Sequence, residues 1–282
     1  MIIKTQYDLI LRDLANREGD FRNDYKAYLT YEAFKKEILS NMSKKDAESY
    51  IDGAGGELKG EMPSMSSIGS SSRFCYLSLK DSSFEVFGFK GNPESREFEK
   101  TLPIFAGKGI PPHMDCFIED ENDSYFFECK CHEQFDSHLI DLSTSYFREG
   151  LICSNIKDSY VEKELLKNTT TYKRVSPSLF GVGKSPRFDI KQLLTHIMGI
   201  KEKMKKEGIN KKAHLCYFYF IPEKALVNKK INSTIEKLIE EAKTVFSSEF
   251  IRQHAPEIDL RLYIQFTDTV EKADSTNVRR VI

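Results

Sequence analysis

The sequence contains no tryptophan, so its 20 phenylalanines and 13 tyrosines supply the aromatic mass. It has no apolar stretch of the roughly 18–20 residues that a membrane-spanning helix needs, and we therefore expect no membrane partner. The N-terminus carries charges from Lys4 onward and lacks the apolar core and cleavage site of a signal peptide. These absences predict a cytoplasmic protein.

Cysteine and net charge are also scarce. The six cysteines lie mostly in apolar, strand-like runs, a pattern that indicates reduced, buried thiols rather than a disulfide framework. The net charge is only −1, whereas a sequence-independent DNA-binding protein is usually strongly basic. Any basic surface must be local, and the stretch 201–212, with six Lys and two Glu, is either a solvated helix end or a phosphate-binding patch.

What the chain does contain is typical of a globular α/β protein. Hydrophobic residues make up 40% and charged residues 30% of its 282 residues, which is enough for one large domain or two modest ones. Helical periodicity over 4–16 and 30–40 predicts an N-terminal helical extension over residues 1–51. A Gly- and Ser-rich stretch (52–73) follows, and we assign residues 52–282 to one main domain.

The main domain mixes strand and helix patterns. Two hairpins are predicted, one from 74–79 and 84–89 and the other from 114–118 and 124–131. Residues 132–187 are interpreted as an insertion with a helix near 139–150. The remaining segments alternate between helix and strand, and are helix 188–204, strand 213–222, helix 231–253 and strand 259–266.

The second hairpin carries the chemistry. Glu128 and Lys130 are two residues apart on one strand, so their side chains point to the same face, and Cys129 points to the other. The short connector 119–123 brings the neighbouring strand alongside, with Asp115 close to Glu128. A lone Glu-x-Lys is commonly a surface ion pair, but the apolar neighbours of Glu128 predict a central strand, where ionised residues are costly.

This set matches the needs of phosphodiester cleavage. Mg²⁺ prefers oxygen ligands and takes one or two carboxylates while it keeps several waters. Asp115 and Glu128 supply two carboxylates, and the backbone carbonyl of Cys129 is a third candidate ligand. A bound cation, for which Mn²⁺ can substitute, neutralises phosphate charge and lowers the pKa of bound water. Lys130 is positioned to stabilise the developing negative charge.

The motifs PPHMD (111–115) and ECK (128–130) resemble those of the PD-(D/E)XK nuclease superfamily, which has the restriction-endonuclease-like fold. The order of elements is similar too, and the segments 188–200 and 214–222 resemble one bacterial branch of restriction endonucleases. The resemblance covers roughly residues 55–222. The sequence departs from the superfamily pattern at Met114, where proline is usual.

The resemblance implies roles for individual residues. Asp115 and Glu128 would be metal ligands, Lys130 the catalytic lysine and Gln192 a polar residue facing the site from the following helix. An acid on the first core helix often completes such sites, and here the candidates are Glu57 and Glu61, with Glu61 preferred. The fold implied is a mixed central sheet flanked by helices.

Other motifs have simpler explanations beside the functional one. The residues Cys129, Cys131, His132 and His138 could suggest zinc, but structural zinc usually takes four ligands from two closely spaced pairs, and core thiols are the better interpretation. His113 is either a phosphate contact or a turn histidine, and His196 either lines the site or packs. The serines 70–72 either donate to phosphates or cap the next element. The segment 181–185 lacks the spacing of a phosphate loop.

We therefore expect a metal-dependent endonuclease acting on nucleic acid, with double-stranded DNA as the expected partner and restriction, defence or repair as roles by analogy. A homodimer would supply the two active sites that a blunt double-strand cut needs. Two alternatives remain. One is a non-catalytic nucleic-acid-binding or interaction protein on the same fold, and the other is an ordinary α/β protein in which Glu128 and Lys130 form a structural ion pair.

Overall fold

The computed structural model describes residues 3–18, 28–52, 57–61, 63–81, 84–89, 95–103, 111–208, 210–268 and 270–282. The strands in this part of the chain are β1 (Ser95–Thr101), β2 (His113–Glu119), β3 (Asp123–Lys130), β4 (Ile140–Ser143), β5 (Val161–Lys167), β6 (Thr170–Val175), β7 (Lys212–Ile221), β8 (Ile258–Phe266) and β9 (Val278–Arg280). Six of them form a central sheet in the order β1-β2-β3-β7-β8-β9. The sheet is mixed, since β3, β7 and β8 run parallel and the other neighbours antiparallel.

Helices surround this sheet. The α-helices are α1 (Ile3–Glu18), α2 (Tyr31–Glu37), α3 (Lys44–Asp52), α4 (Ser71–Leu79), α5 (Ile190–Glu207), α6 (Glu223–Leu226), α7 (Lys229–Phe246) and α8 (Glu249–His254). Short 3₁₀ turns connect them, among them Glu85–Phe87 and Thr144–Phe147. No described helix has the length and apolar composition needed to span a lipid bilayer. An α/β class with a mixed central sheet is confirmed.

The central strand β7 shows how the layers form. Every residue from Ala213 to Ile221 is buried, and successive side chains alternate between the two faces. On one face, Phe218 lies 4.7 Å from the ring of Phe74 in α4. On the other, Tyr217 lies 6.3 Å from the ring of Phe246 in α7. The sheet is therefore covered on both faces, which explains why the sequence of β7 is almost uniformly apolar.

The first predicted hairpin is wrong. Residues 74–79 lie in helix α4, and the segment 84–89 contains only a 3₁₀ turn. The Ser70 hydroxyl caps α4 by accepting a hydrogen bond from the amide of Arg73 (3.2 Å). All residues of α4 after Ser71 are buried, so the helix has no polar face, and a short apolar run of this kind cannot be told from a strand by periodicity.

The second hairpin is confirmed, because β2 and β3 pair antiparallel around a turn at Asp120. The helix predicted near 139–150 is wrong. Its first residues form β4, which joins β5 and β6 in a separate three-stranded sheet. Asp141 of β4 accepts hydrogen bonds from Arg174 (2.6 and 2.9 Å) and Lys167 (2.8 Å), contacts between distant residues that local periodicity does not encode.

Helix α1 packs against the central sheet. The hydroxyl of Tyr7 donates to the carbonyl of Phe220 (3.2 Å), and its ring lies 4.6 Å from Phe135. The division between an N-terminal extension and the main domain at residue 51 stays a prediction.

All six cysteines are buried and unpaired, as predicted. Cys75, Cys116 and Cys129 come together between α4 and the sheet, and burial raises the pKa of Cys129 to about 12, so this thiol is not reactive at neutral pH.

A buried histidine holds the amino-terminal ends of the parallel strands together. His214 lies between Asp259 (Nδ1–Oδ2 2.9 Å) and Asp123 (Nε2–Oδ1 2.7 Å) and stacks on Tyr125 at 4.3 Å. His214→Phe keeps the stacking but removes both polar contacts, and we expect it to lower the free energy of unfolding by about 2 kcal/mol. The bond to His214 is the main reason that the pKa of Asp259 is lowered.

Urea denaturation at pH 7 measures this effect. A carboxylate with a lowered pKa stabilises the fold above its ordinary pKa and loses that contribution as the pH falls below about 4. The difference between His214→Phe and wild type should therefore shrink in acid. Equal stabilities at pH 7 would show that the two contacts contribute nothing net.

Candidate functional site

The site begins where β2 and β3 separate. Their pairing ends at Cys116 and Phe127, and in the same register the next two residues are Asp115 and Glu128. Instead of continuing the ladder, Asp115 Oδ2 accepts a hydrogen bond from the backbone N–H of Cys129 (2.6 Å). The N–H and C=O of one strand residue point to the same side, so the Cys129 carbonyl also faces Asp115.

Glu128 lies at the centre of the site. It is only 5% exposed, and Oε1 accepts hydrogen bonds from Lys130 Nζ (2.6 Å) and Gln192 Nε2 (2.7 Å). Oε2 lies 3.7 Å from Nε2 of His196. The expected common face of Glu128 and Lys130 is thus confirmed, and the helix residues Gln192 and His196 both contact the same carboxylate.

Gln192 and His196 lie on helix α5, and the start of this helix determines their position. Asp189 caps the helix, and its Oδ1 accepts a hydrogen bond from the amide of Gln192 (2.9 Å). The preceding Phe188 is buried against Tyr217, with ring centroids 4.9 Å apart. The cap and this aromatic anchor fix the first turn of α5 and direct Gln192 at Glu128. Residues 192 and 196 are one helical turn apart and share a face.

Three buried polar atoms around Glu128 have no hydrogen-bond partner in the described part of the chain. They are Gln192 Oε1, His196 Nδ1 and the hydroxyl of Tyr217, and Tyr217 is the neighbour of Glu128 on β7. Buried polar groups are nearly always paired, and exceptions commonly mark a bound water or ion. The chemistry of this group is suited to binding one.

Glu99 is a further acidic residue near Asp115 that the sequence patterns did not reveal. The pairs Phe98–Cys116 and Lys100–Met114 flank it, so it lies opposite Asp115 in the register of β1 and β2. Its φ of 50° is left-handed, a conformation that costs a non-glycine residue of the order of 1 kcal/mol. Burial raises the pKa of Glu99 to about 7, helped by the charges of Glu57 and Glu128. Strand β1 is rich in charged residues, so a pattern of apolar residues reveals neither the strand nor Glu99.

The electrostatics separate the acids from the lysine. Burial raises the pKa of Asp115, and the charges of Glu128 and Glu99 raise it further. Burial alone would lower the pKa of Lys130, but the charges of Glu128, Glu133 and Asp115 outweigh it and hold the pKa above its usual value. Lys130 therefore remains an ammonium group at neutral pH.

The raised pKa of Glu99 predicts a pH-dependent stability. An acid whose pKa is higher in the fold than its ordinary 4.5 stabilises the fold fully below that value and loses the contribution as the pH rises through about 7. Glu99→Gln stays neutral, so in EDTA we expect its Tm to match wild type at pH 5. At pH 8 it should exceed wild type by roughly 2–4 °C, the shift that about 1 kcal/mol produces.

Scanning calorimetry from pH 5 to 8 checks this expectation. Glu97→Gln is the matched control, since Glu97 lies on the same strand and pairs with Lys100 (2.7 Å). A Tm difference between Glu99→Gln and wild type that is the same at both pH values would contradict the shift.

The two glutamates proposed to complete the site differ in position. Glu57 is half-buried, accepts a hydrogen bond from the Ser64 hydroxyl and contributes to the raised pKa of Glu99. Glu61, the preferred candidate, is exposed beside Gly60, and no contact within the described residues joins it to the site. Both candidates precede α4 rather than lie on it.

The remaining candidates are explained by local contacts. His132 Nδ1 lies 3.1 Å from the Gly69 carbonyl, and His138 Nδ1 lies 3.3 Å from Asp189. Within the described ranges, no group of three or more His, Cys, Asp or Glu side chains is arranged to hold a metal ion. His113 contacts Thr101 (3.3 Å), and burial lowers its pKa. Ser70 caps α4, as the simpler explanation held.

Comparison with known proteins adds no assignment. No protein-family model, curated protein or solved structure matches the chain.

Proposed function

We propose that this chain is a magnesium-dependent nuclease that hydrolyses phosphodiester bonds in DNA, on a restriction-endonuclease-like core. The observation that carries the proposal is the cluster at the end of β3. Asp115 contacts the Cys129 amide, and Glu128 binds Lys130 and Gln192 within 2.7 Å. The order α4, three antiparallel strands, α5 and a parallel β7 agrees with the order that the resemblance implies.

Among the described residues no group of three or more His, Cys, Asp or Glu side chains is arranged to hold a metal ion, so the proposed magnesium site consists of two carboxylates and water. Asp115 and Glu128 provide two carboxylates, the number that Mg²⁺ takes when water fills the remaining positions. The oxygen of the Gln192 side chain is buried and unpaired among the described residues, and it is a hard donor of the kind that the ion or one of its waters prefers. The Cys129 carbonyl is a further oxygen on the Asp115 side.

Each side chain then has a distinct task. A bound magnesium ion would supply charge neutralisation and a more acidic water. Lys130, kept protonated by its acidic neighbours, stabilises the negative charge that develops at phosphorus. Gln192 holds Glu128 in place through its amide (2.7 Å). His196 lies behind Glu128 and is kept neutral, because burial lowers its pKa.

The direct test is nicking of supercoiled plasmid by the purified chain. Conversion to open-circular or linear DNA with Mg²⁺ or Mn²⁺, abolished by EDTA, is the expected result. Single-stranded DNA and RNA are tested in parallel because the site does not distinguish their phosphodiesters. If the chain cuts none of the three substrates with either metal, the proposal is contradicted.

A non-catalytic binding protein on the same fold is the second candidate. It is favoured by the closed arrangement of Glu128, Lys130 and Gln192, which satisfies the Glu128 charge without a metal, and by the net charge of −1. Binding of DNA without cleavage, unchanged by EDTA, would favour this candidate.

A further inference from the structure

A cavity of about 490 Å³ lies between helices α1 and α4; we name it the α1–α4 cavity. Its walls come from one face of α1, from the serine-rich segment 64–72 and from His132 and Glu133, which follow β3. The volume lies within the range of roughly 300–1,000 Å³ that is typical of small-molecule sites. It is large enough for a single nucleotide and too small for a duplex.

One wall offers hydrogen-bond donors. Ser71 and Ser72 form the first turn of α4 and line the cavity, and amides at that position have no acceptor within the helix. Ser72 is only 5% exposed, so its polar groups are almost entirely shielded from bulk water. A ligand in the cavity can accept hydrogen bonds from these hydroxyls and amides.

The rest of the lining, from α1 and from residues outside it, combines an acid with apolar and aromatic side chains. Asp8 lines the cavity, and burial raises its pKa. Leu11, Ile68 and Tyr28 supply apolar and aromatic surface. An acidic acceptor, hydroxyl and amide donors, and apolar and aromatic surface are together the features that recognise the edges and face of a nucleobase.

The cavity adjoins the proposed active site. Glu133 lines it, and its carboxylate accepts hydrogen bonds from the amides of Cys131 (3.1 Å) and His132 (3.0 Å), which directly follow Lys130. Glu57 lines it as well and contributes to the raised pKa of Glu99. A ligand in the cavity would therefore have one end close to the end of β3, where Lys130 lies.

We propose that the α1–α4 cavity binds one nucleotide of the substrate, turned out of its stack, with its base against Leu11 and Tyr28 and its phosphate toward Lys130. The choice of ligand class rests on the proposed nuclease function. The consequence is a preference for strands whose bases unstack at low cost, namely single strands, ends and mismatched positions.

The test is calorimetric binding of deoxynucleoside 5′-monophosphates to the full chain in EDTA, compared with deoxyribose 5-phosphate. We expect at least one of the four nucleotides to bind saturably and at least about tenfold more tightly than the base-free sugar phosphate. Ser71→Phe, which fills the cavity, and Asp8→Asn, which removes the acidic acceptor, should each weaken binding by about tenfold or more. Asp13→Asn is the control, because Asp13 is an exposed residue of the same helix that does not line the cavity.

The outcomes separate this proposal from the nuclease proposal because binding is measured without metal. Nucleotides that bind no better than the sugar phosphate overturn the cavity assignment even if plasmid is cut. Nucleotide binding by a chain that never cuts overturns only the nuclease. If Ser71→Phe does not fold, Asp8→Asn decides, and unchanged binding in that variant contradicts the assignment.

Discussion

Replacing Asp115 with asparagine is expected to reduce metal-dependent nicking by about 10³-fold while the fold is retained. A metal ion contributes several kcal/mol to stabilising the transition state, and each ~1.4 kcal/mol is a factor of ten in rate. The variant loses one of two anionic ligands. The asparagine oxygen can still accept the hydrogen bond of the Cys129 amide, which Asp115 accepts at 2.6 Å. The rate of plasmid nicking at saturating Mg²⁺ is the measurement.

Glu119→Gln is the matched control for Asp115→Asn. Glu119 ends the same strand and interacts with Lys211 (3.5 Å), away from Glu128. It should nick at the wild-type rate. If Asp115→Asn nicks at a rate close to that of Glu119→Gln, Asp115 is not a ligand of the metal ion.

The second large effect concerns stability. Lys130→Met is expected to lower the free energy of unfolding by about 3–5 kcal/mol, because it leaves the Glu128 carboxylate buried without its cation. Both side chains are well shielded, with exposed fractions of 13% for Lys130 and 7% for Glu128. The double variant Glu128→Gln/Lys130→Met removes both charges of the pair and should recover most of the loss. Urea denaturation at pH 7 in EDTA measures the free energy of unfolding of wild type, the single variant and the double variant.

Lys44→Met is the control for Lys130→Met. Lys44 forms an exposed pair with Glu48 (3.7 Å), with exposed fractions of 91% and 60%, and exposed pairs contribute little. Its stability should stay close to wild type. Equal losses in Lys130→Met and the double variant would show that Glu128 does not carry a buried charge that depends on Lys130.

Together these two experiments separate a metal site from a structural ion pair. A structural pair predicts the stability loss of Lys130→Met but no metal-dependent cutting by wild type. A nuclease predicts both. The ion pair and the active site are therefore not exclusive. Metal-dependent cutting by wild type that is lost in the Asp115 variant is the result that only a nuclease predicts.

Local sequence patterns predicted the two strands that carry Asp115, Glu128 and Lys130. The alternation of Glu128, Cys129 and Lys130 dictates which side chains share a face, and this parity holds wherever the strand lies in a sheet. The five-residue connector 119–123 predicted the antiparallel partner that carries Asp115. The amphipathic pattern of α5 predicted that Gln192 and His196 would share a face.

Patterns failed where burial or charge removes the contrast between faces. Helix α4 is buried almost throughout, so its apolar run predicted a strand. Strand β1, with the sequence SREFEKT, has a single fully buried residue, Phe98, and its charges concealed both the strand and Glu99. In each case packing against other elements, rather than periodicity, decided the conformation.

By itself, the sequence determined the β2–β3 hairpin, the common face of Glu128 and Lys130 and the buried thiols, because each depends on residues close in the chain. Only the tertiary structure decided that Glu99 lies opposite Asp115, that Glu57 contributes to the raised pKa of Glu99, and that α1 and α4 enclose a cavity. These features depend on elements far apart in the chain, whose contacts are set by packing of the whole core.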